Sequence, residues 1–206
     1  MNKALILCRG NSLSRAAEIA NNHYDACFIV NKWDEQLAMP LFSFLKKQNL
    51  FHFLNRERQN ILAPVTYWEF GIQQAYLNIL KKEMPKSVVA KVLRALNIKC
   101  IPMSEDVKQW ALDGKASFPS CGVSALVSIA AGLKAKEITV IGMDFFQADY
   151  FTYHASKGGK EVKDYQRVKN ARMMEFVQNF CKANPSITFN FVTESNLPSS
   201  DNIHVL

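Results

Sequence analysis

Glycine is sparse in this chain, eight residues in 206, and nowhere do the glycines fall as G-x-G-x-x-G. The dinucleotide-binding fingerprint is therefore missing. No stretch approaches the roughly 18 to 20 consecutive apolar residues that a membrane-spanning helix needs. Five cysteines (Cys8, Cys27, Cys100, Cys121, Cys181) are scattered without a C-x-x-C, which argues against both a disulfide framework and a zinc site. The four histidines (His23, His52, His154, His204) lack metal-ligand spacing as well, so no metal is expected. The opening Met-Asn-Lys-Ala-Leu-Ile-Leu-Cys is too short in its apolar run for a signal peptide, and no small-residue cleavage site follows. The expectation is a soluble, cytoplasmic protein. Acidic residues are the minority, 18 against 25 Lys and Arg, for a net charge of +7.

What is present is globular. Apolar residues make up 49% of the chain, which is enough for one ordinary core, so 1–206 reads as a single domain. The positive charge is concentrated in two segments. Residues 81–99 carry Lys81, Lys82, Lys86, Lys91, Arg94 and Lys99 against Glu83 alone. Residues 157–172 carry Lys157, Lys160, Lys163, Arg167, Lys169 and Arg172 against Glu161 and Asp164, just after the glycine pair Gly158-Gly159. Such segments are solvated helix faces or attract phosphates and nucleic acid.

Short apolar runs at 4–8, 26–30, 50–54, 98–101, 138–141 and 187–192 read as strands buried on both faces. Helices are expected between them, at 13–21, 69–82, 86–97 and 121–133. A last long helix has one stripe formed by Met173, Phe176, Val177 and Phe180. The tail 193–202 reads as loop. Alternation of strands and helices predicts an α/β fold: a Rossmann-like, doubly wound, mostly parallel sheet with helices on both faces.

Ligands of such sheets bind beyond the carboxyl ends of the strands. The residues there are Arg9, Gly10, Asn11 and Ser12 after the first strand, Asn31 and Lys32 after the second, and Asn55 after the third. Gly142-Met143-Asp144-Phe145-Phe146 follows the strand at 138–141, and Ser120-Cys121-Gly122 opens an apolar helix. A glycine followed by Asn and Ser lets a loop turn tightly toward an anion, and a helix start has spare N–H groups for a phosphate. Each feature alone is equally an ordinary helix cap. Two asparagines at corresponding strand ends are harder to explain as turns.

Taken in register from Gly10-Asn11-Ser12-Leu13 to Phe191-Val192 and Ser195-Asn196-Leu197, these motifs resemble the bacterial sialyltransferases of glycosyltransferase family 42. They also resemble the sialyltransferase-like domains of related bacterial and phage proteins. Ser120 to Gln147 carries the most specific part. The resemblance implies a CMP-sugar donor bound without a metal, and Asn31 and Asn55 contacting nucleotide and sugar. Ser120 and Cys121 would lie where the family has a Thr-Ser pair, with Asp144 and Phe146 on the donor side. The family's arginine before that pair is Phe118 here, the first of its phosphate-holding tyrosines is Phe146, and its catalytic histidine falls at Tyr165.

The expected activity is an inverting, metal-independent glycosyl transfer from a nucleotide-activated sugar to a glycan hydroxyl. The alternatives are a phage-type glycosyltransferase acting on modified DNA bases, or a nucleotide-binding relative without transfer activity. No cofactor beyond the donor substrate is expected. Nucleic acid and self-association into a homo-oligomer stay open as partners. The segment 147–163 is placed like a lid. Within it His154 suits a general base near neutral pH, and Tyr153 could donate a phenolic hydrogen bond to the leaving phosphate. Arg9, standing where the family usually has Asn, could supply the missing cation with its forked donors.

Overall fold

The computed structural model describes residues 1–19, 22–31, 41–55, 61–103, 105, 120–145 and 164–206, with backbone alone for 17, 42 and 164–171. Eight strands form one sheet: β1 (Lys3–Leu7), β2 (Ala26–Val30), β3 (Leu50–Leu54), β4 (Gln74–Leu80), β5 (Lys99–Met103), β6 (Glu137–Ile141), β7 (Thr188–Val192) and β8 (Ile203–Val205). Every strand pairing is parallel, in the order β5-β4-β3-β2-β1-β6-β7-β8. The chain winds outward from β1 to β5, then returns to lay β6 against the free side of β1. The switch point of this Rossmann-like, doubly wound fold is therefore between β1 and β6.

Helices lie on both faces, which is why the central strands β2 and β1 are buried almost throughout. Ala4, Ile6, Phe28 and Val140 pack on one face under α4 (Cys121–Val127) and α5 (Asp164–Lys182). Leu5, Leu7 and Ile29 pack on the other face, under a 3-10 helix (Asn11–Ile19), α1 (Phe42–Leu45), α2 (Pro64–Glu69) and α3 (Val88–Ala95). Val177 and Phe180 of the expected stripe are buried in the first layer. Each such side chain contributes about 1.5–3 kcal/mol. Every residue of α4 is buried, and the helix runs on as a π turn over Ser128–Gly132.

The helix expected at 69–82 is instead strand β4. Ala75, Leu77 and Ile79 are buried while Gln74, Tyr76 and Asn78 are half-buried. One place in from the sheet edge, a strand shows this period of two rather than a continuous apolar run. Pro64 opens the short helix α2 just before it, at a position where its missing N–H costs nothing. Among the described residues no helix is long and apolar enough to cross a membrane.

Candidate functional site

At the carboxyl ends of β1, β2 and β6 a crevice encloses about 610 Å³, its open mouth included. The place is where ligands of doubly wound sheets bind. Arg9, Gly10, Asn31, Ser120, Cys121, Gly122 and Asp144 line it, all of them singled out by the sequence. Cys8, Val30, Gly142, Met143, Phe145 and Met173 complete the wall.

The floor is set by close backbone approach. A Cβ on Gly10 would run into the Asp144 carboxylate and come within 2.6 Å of the Gly142 carbonyl oxygen. Gly142 has φ +74, and a Cβ there would lie 2.7 Å from the Cys8 carbonyl oxygen. Only glycine fits at either position. Two of the N–H groups that the first loop was expected to aim at an anion are spent inside the protein. Gly10 N–H donates to Gly142 O at 2.8 Å, and Ser12 N–H to Asp144 Oδ2 at 2.9 Å.

Asp144 is a clamp between loops. It is 3% exposed, and its Oδ1 faces the hydroxyls of Ser12 and Thr193 and accepts the Glu194 N–H at 3.1 Å. The Ser12 hydroxyl in turn accepts the Gly142 N–H at 3.1 Å and lies 3.0 Å from the Val192 carbonyl. The loops after β1, β6 and β7 are thereby tied into one buried polar knot. Ser12 is fully buried and Asn11 is turned onto Glu194, 2.9 Å from each of its carboxylate oxygens. Neither residue lines the crevice.

Asn31 sits at φ +60, a left-handed conformation that its short amide tolerates. Its Oδ1 accepts the Asn55 N–H at 3.3 Å, so the two strand-end asparagines do come together. Phe145, at φ +48, is the less expected left-handed residue of the wall. Backbone strain of this kind persists where surroundings hold it and clusters at functional sites.

Behind Asn31 lies a relay that sequence reasoning missed. His52 Nε2 is 2.9 Å from Asn31 O, and its Nδ1 is 2.7 Å from the Tyr67 hydroxyl. Burial pushes the imidazole down from 6.5 to about 4, so it is neutral. A carbonyl can only accept, so Nε2 carries the proton and Tyr67 donates to Nδ1.

Ser120 caps α4, its Oγ accepting the Val123 N–H at 3.3 Å. Gly122 lets the helix press on the strand ends, since a Cβ there would be 2.8 Å from Cys8 Sγ. Two first-turn positions of α4, Cys121 and Gly122, thus line the crevice, where backbone N–H groups have no acceptor within their own helix. Arg9 is half-buried and has no carboxylate partner among the described residues. Burial, and next the Asp144 charge, raise the Cys8 thiol to about 12, which removes it as a nucleophile at neutral pH.

Lys32, Phe146, Tyr153 and His154 lie outside the described residues, as do Phe118 and the segment 147–163. Tyr165 falls on α5 where only backbone is described. Among the described residues no group of three His, Cys, Asp or Glu is placed to hold a metal ion. Thr193 and Glu194 were read only as loop, although the strand-end rule applied to β7 points to them.

Compared with models of protein families, with curated proteins and with solved structures, the chain matches none of them. The sialyltransferase-like resemblance rests on the quoted motifs alone.

Proposed function

We propose that this chain is a cytoplasmic glycosyltransferase that takes a nucleotide-activated sugar, a CMP-sugar on the strength of its motifs, and passes the sugar to a glycan hydroxyl. One observation carries the reading. Arg9, which has no carboxylate partner among the described residues, the left-handed Asn31 and the first turn of α4 surround one crevice at the switch point. Arg9 and the α4 N–H groups suit a phosphate, while Asn31 suits a ribose or base edge. Five free thiols suit a reducing compartment.

In the transfer, the acceptor oxygen attacks the anomeric carbon as the bond to the nucleotide phosphate breaks, inverting that carbon. The acceptor proton passes to a base, and the charge growing on the phosphate is met by donors already in place. His154 is the proposed base and Tyr153 a further phosphate donor, with Tyr165 as the competing position. By the same reading Lys32 and Phe146 flank the donor.

A second reading is a nucleotide-binding protein without transfer activity. It is favoured by the described part of the crevice wall, where the Cys8 thiol stays protonated and Asp144 is covered by its partners.

A thermal-shift series with CMP, UDP, GDP, NAD and S-adenosylmethionine tests both, since a ligand bound only by the fold raises its stability with occupancy. CMP should stabilise the protein with or without EDTA, and a response to NAD alone would overturn the transferase reading. Stabilisation by CMP with no turnover of any CMP-sugar would select the second.

A further inference from the structure

The opposite end of the sheet carries a basin that the crevice does not use. It lies at the amino ends of β4 and β5, between the carboxyl ends of α2 and α3, and encloses about 1050 Å³ with its wide mouth. Trp68, Gln73, Gln74, Asn97 and Lys99 give it an aromatic and polar wall. Trp68 is 68% exposed, the one large aromatic left in solvent among the described residues.

Its placement is rigid. A six-residue helix such as α2 has little stability of its own. It is pinned by its neighbour Tyr67, buried and bonded to His52. The helix then ends on Gly71 at φ +62, with Gly71 N–H donating to Trp68 O and Ile72 N–H to Tyr67 O at 2.8 Å. α3 ends the same way on Asn97 at φ +59, and Lys99 N–H joins the two turns by donating to Gln73 O at 2.9 Å.

The surroundings are basic. Lys91 and Arg94 are exposed on α3, Lys99 is exposed at the start of β5 and lines the basin, and Lys81, Lys82 and Lys86 are exposed on the segment between β4 and α3. Among the described residues its carboxylates are few. Glu83 caps the Leu80 N–H at 2.9 Å, Glu105 is 4.0 Å from Lys82, and Glu69 is exposed beside Trp68.

An exposed, rigid indole beside a row of cations is the combination that binds single strands: bases stack on the ring while phosphates follow the charge. We propose that the basin and the strip along α3 form a binding surface for single-stranded nucleic acid, with Trp68 as the stacking platform and Lys91, Arg94 and Lys99 as the phosphate contacts. A base needs its face open to stack, so the surface prefers single strands to duplex. This inference is independent of the CMP-sugar reading, because none of its residues lines the crevice.

The test is fluorescence anisotropy with a labelled oligothymidylate of about a dozen nucleotides, run on the full chain across a salt series. Binding should weaken with salt, by about 0.7 log units of affinity per log unit of salt for each phosphate held. Trp68→Ala should lose about tenfold or more in affinity at fixed salt, with circular dichroism and melting temperature near wild type. A combined Lys91→Gln, Arg94→Gln, Lys99→Gln variant should reduce the salt slope by about two. No binding in dilute salt would overturn the proposal, as would undiminished affinity of Trp68→Ala, or tighter binding of duplex or heparin than of the single strand. Saturating CMP should leave the affinity unchanged, so a failed CMP shift and a failed oligonucleotide titration are separate results.

Discussion

His52 donates its Nε2 proton to the backbone oxygen of Asn31, 2.9 Å away, and this bond holds in place the left-handed residue at the crevice wall. The imidazole is fully buried, and its folded value of about 4 lies below the ordinary 6.5. The stability this neutral histidine supports is present in full above about pH 6.5. It is lost as pH falls toward 4, because the unfolded chain takes up a proton that the fold refuses. The loss should reach about 3 kcal/mol. Urea unfolding at pH 7.5 and 4.5 should show it, and the difference should shrink in His52→Gln.

Gly10 and Gly132 should respond oppositely to the same change. Gly10→Ala drives a methyl into Asp144 and the Gly142 carbonyl and should cost about 1–3 kcal/mol. At Gly132, in the helical continuation of α4, nothing lies within 4 Å, so Ala should stabilise by up to about 1 kcal/mol. Chemical denaturation reads both.

Asp144→Asn keeps the shape and removes one full acceptor from the knot that holds Ser12, Thr193 and Glu194. A loss of about 2–4 kcal/mol is expected, as for buried partners left unsatisfied. Ser12→Ala should cost less when added to Asp144→Asn than alone, because the two share one network. A double-mutant cycle in urea measures that coupling.

Replacing Asn31 separates backbone from amide. Asn31→Gly permits φ +60 and should fold near wild type, whereas Asn31→Val should lose about 1–2 kcal/mol. If the amide contacts the nucleotide, Asn31→Gly should bind CMP about 3–10-fold more weakly by calorimetry. Unchanged affinity would remove Asn31 from the donor site.

Arg9→Ala tests the phosphate cation. CMP affinity should fall by about tenfold or more, while the same change at exposed Lys47 should have no effect. Equal affinities would show that the phosphate is held elsewhere.

Much of the sheet was legible. β2 and β3 have the expected bounds because buried parallel strands are largely apolar runs between turn residues, broken in β3 by His52 alone. β4 was not legible as a strand, since Ala75, Leu77 and Ile79 alternate with half-buried partners next to a lysine-rich stretch that mimics a helix. β8 has only three residues and lies at the sheet edge beside β7. The strand-end rule placed most of the crevice wall, yet not what the wall does. Ser12 meets Asp144 across 132 positions and Val192 across 180, and His52 meets Asn31 between strands. No local pattern encodes such pairings.

The neighbour relation of β1 and β6 also governs how the chain is made. Leu5 and Leu7 are 0% exposed, yet half of their ladder is supplied by Thr139 and Ile141 of β6, far downstream. A growing chain that has completed β5 already owns five adjoining strands, with β1, whose Ala4 to Leu7 are fully buried in the finished sheet, still open along one side. Such an edge invites pairing with other chains, and contacts this remote in sequence form slowly. The nascent protein therefore passes through a stage at which its centre is its most adhesive surface, and it becomes self-contained only when the return crossover seats β6 beside β1.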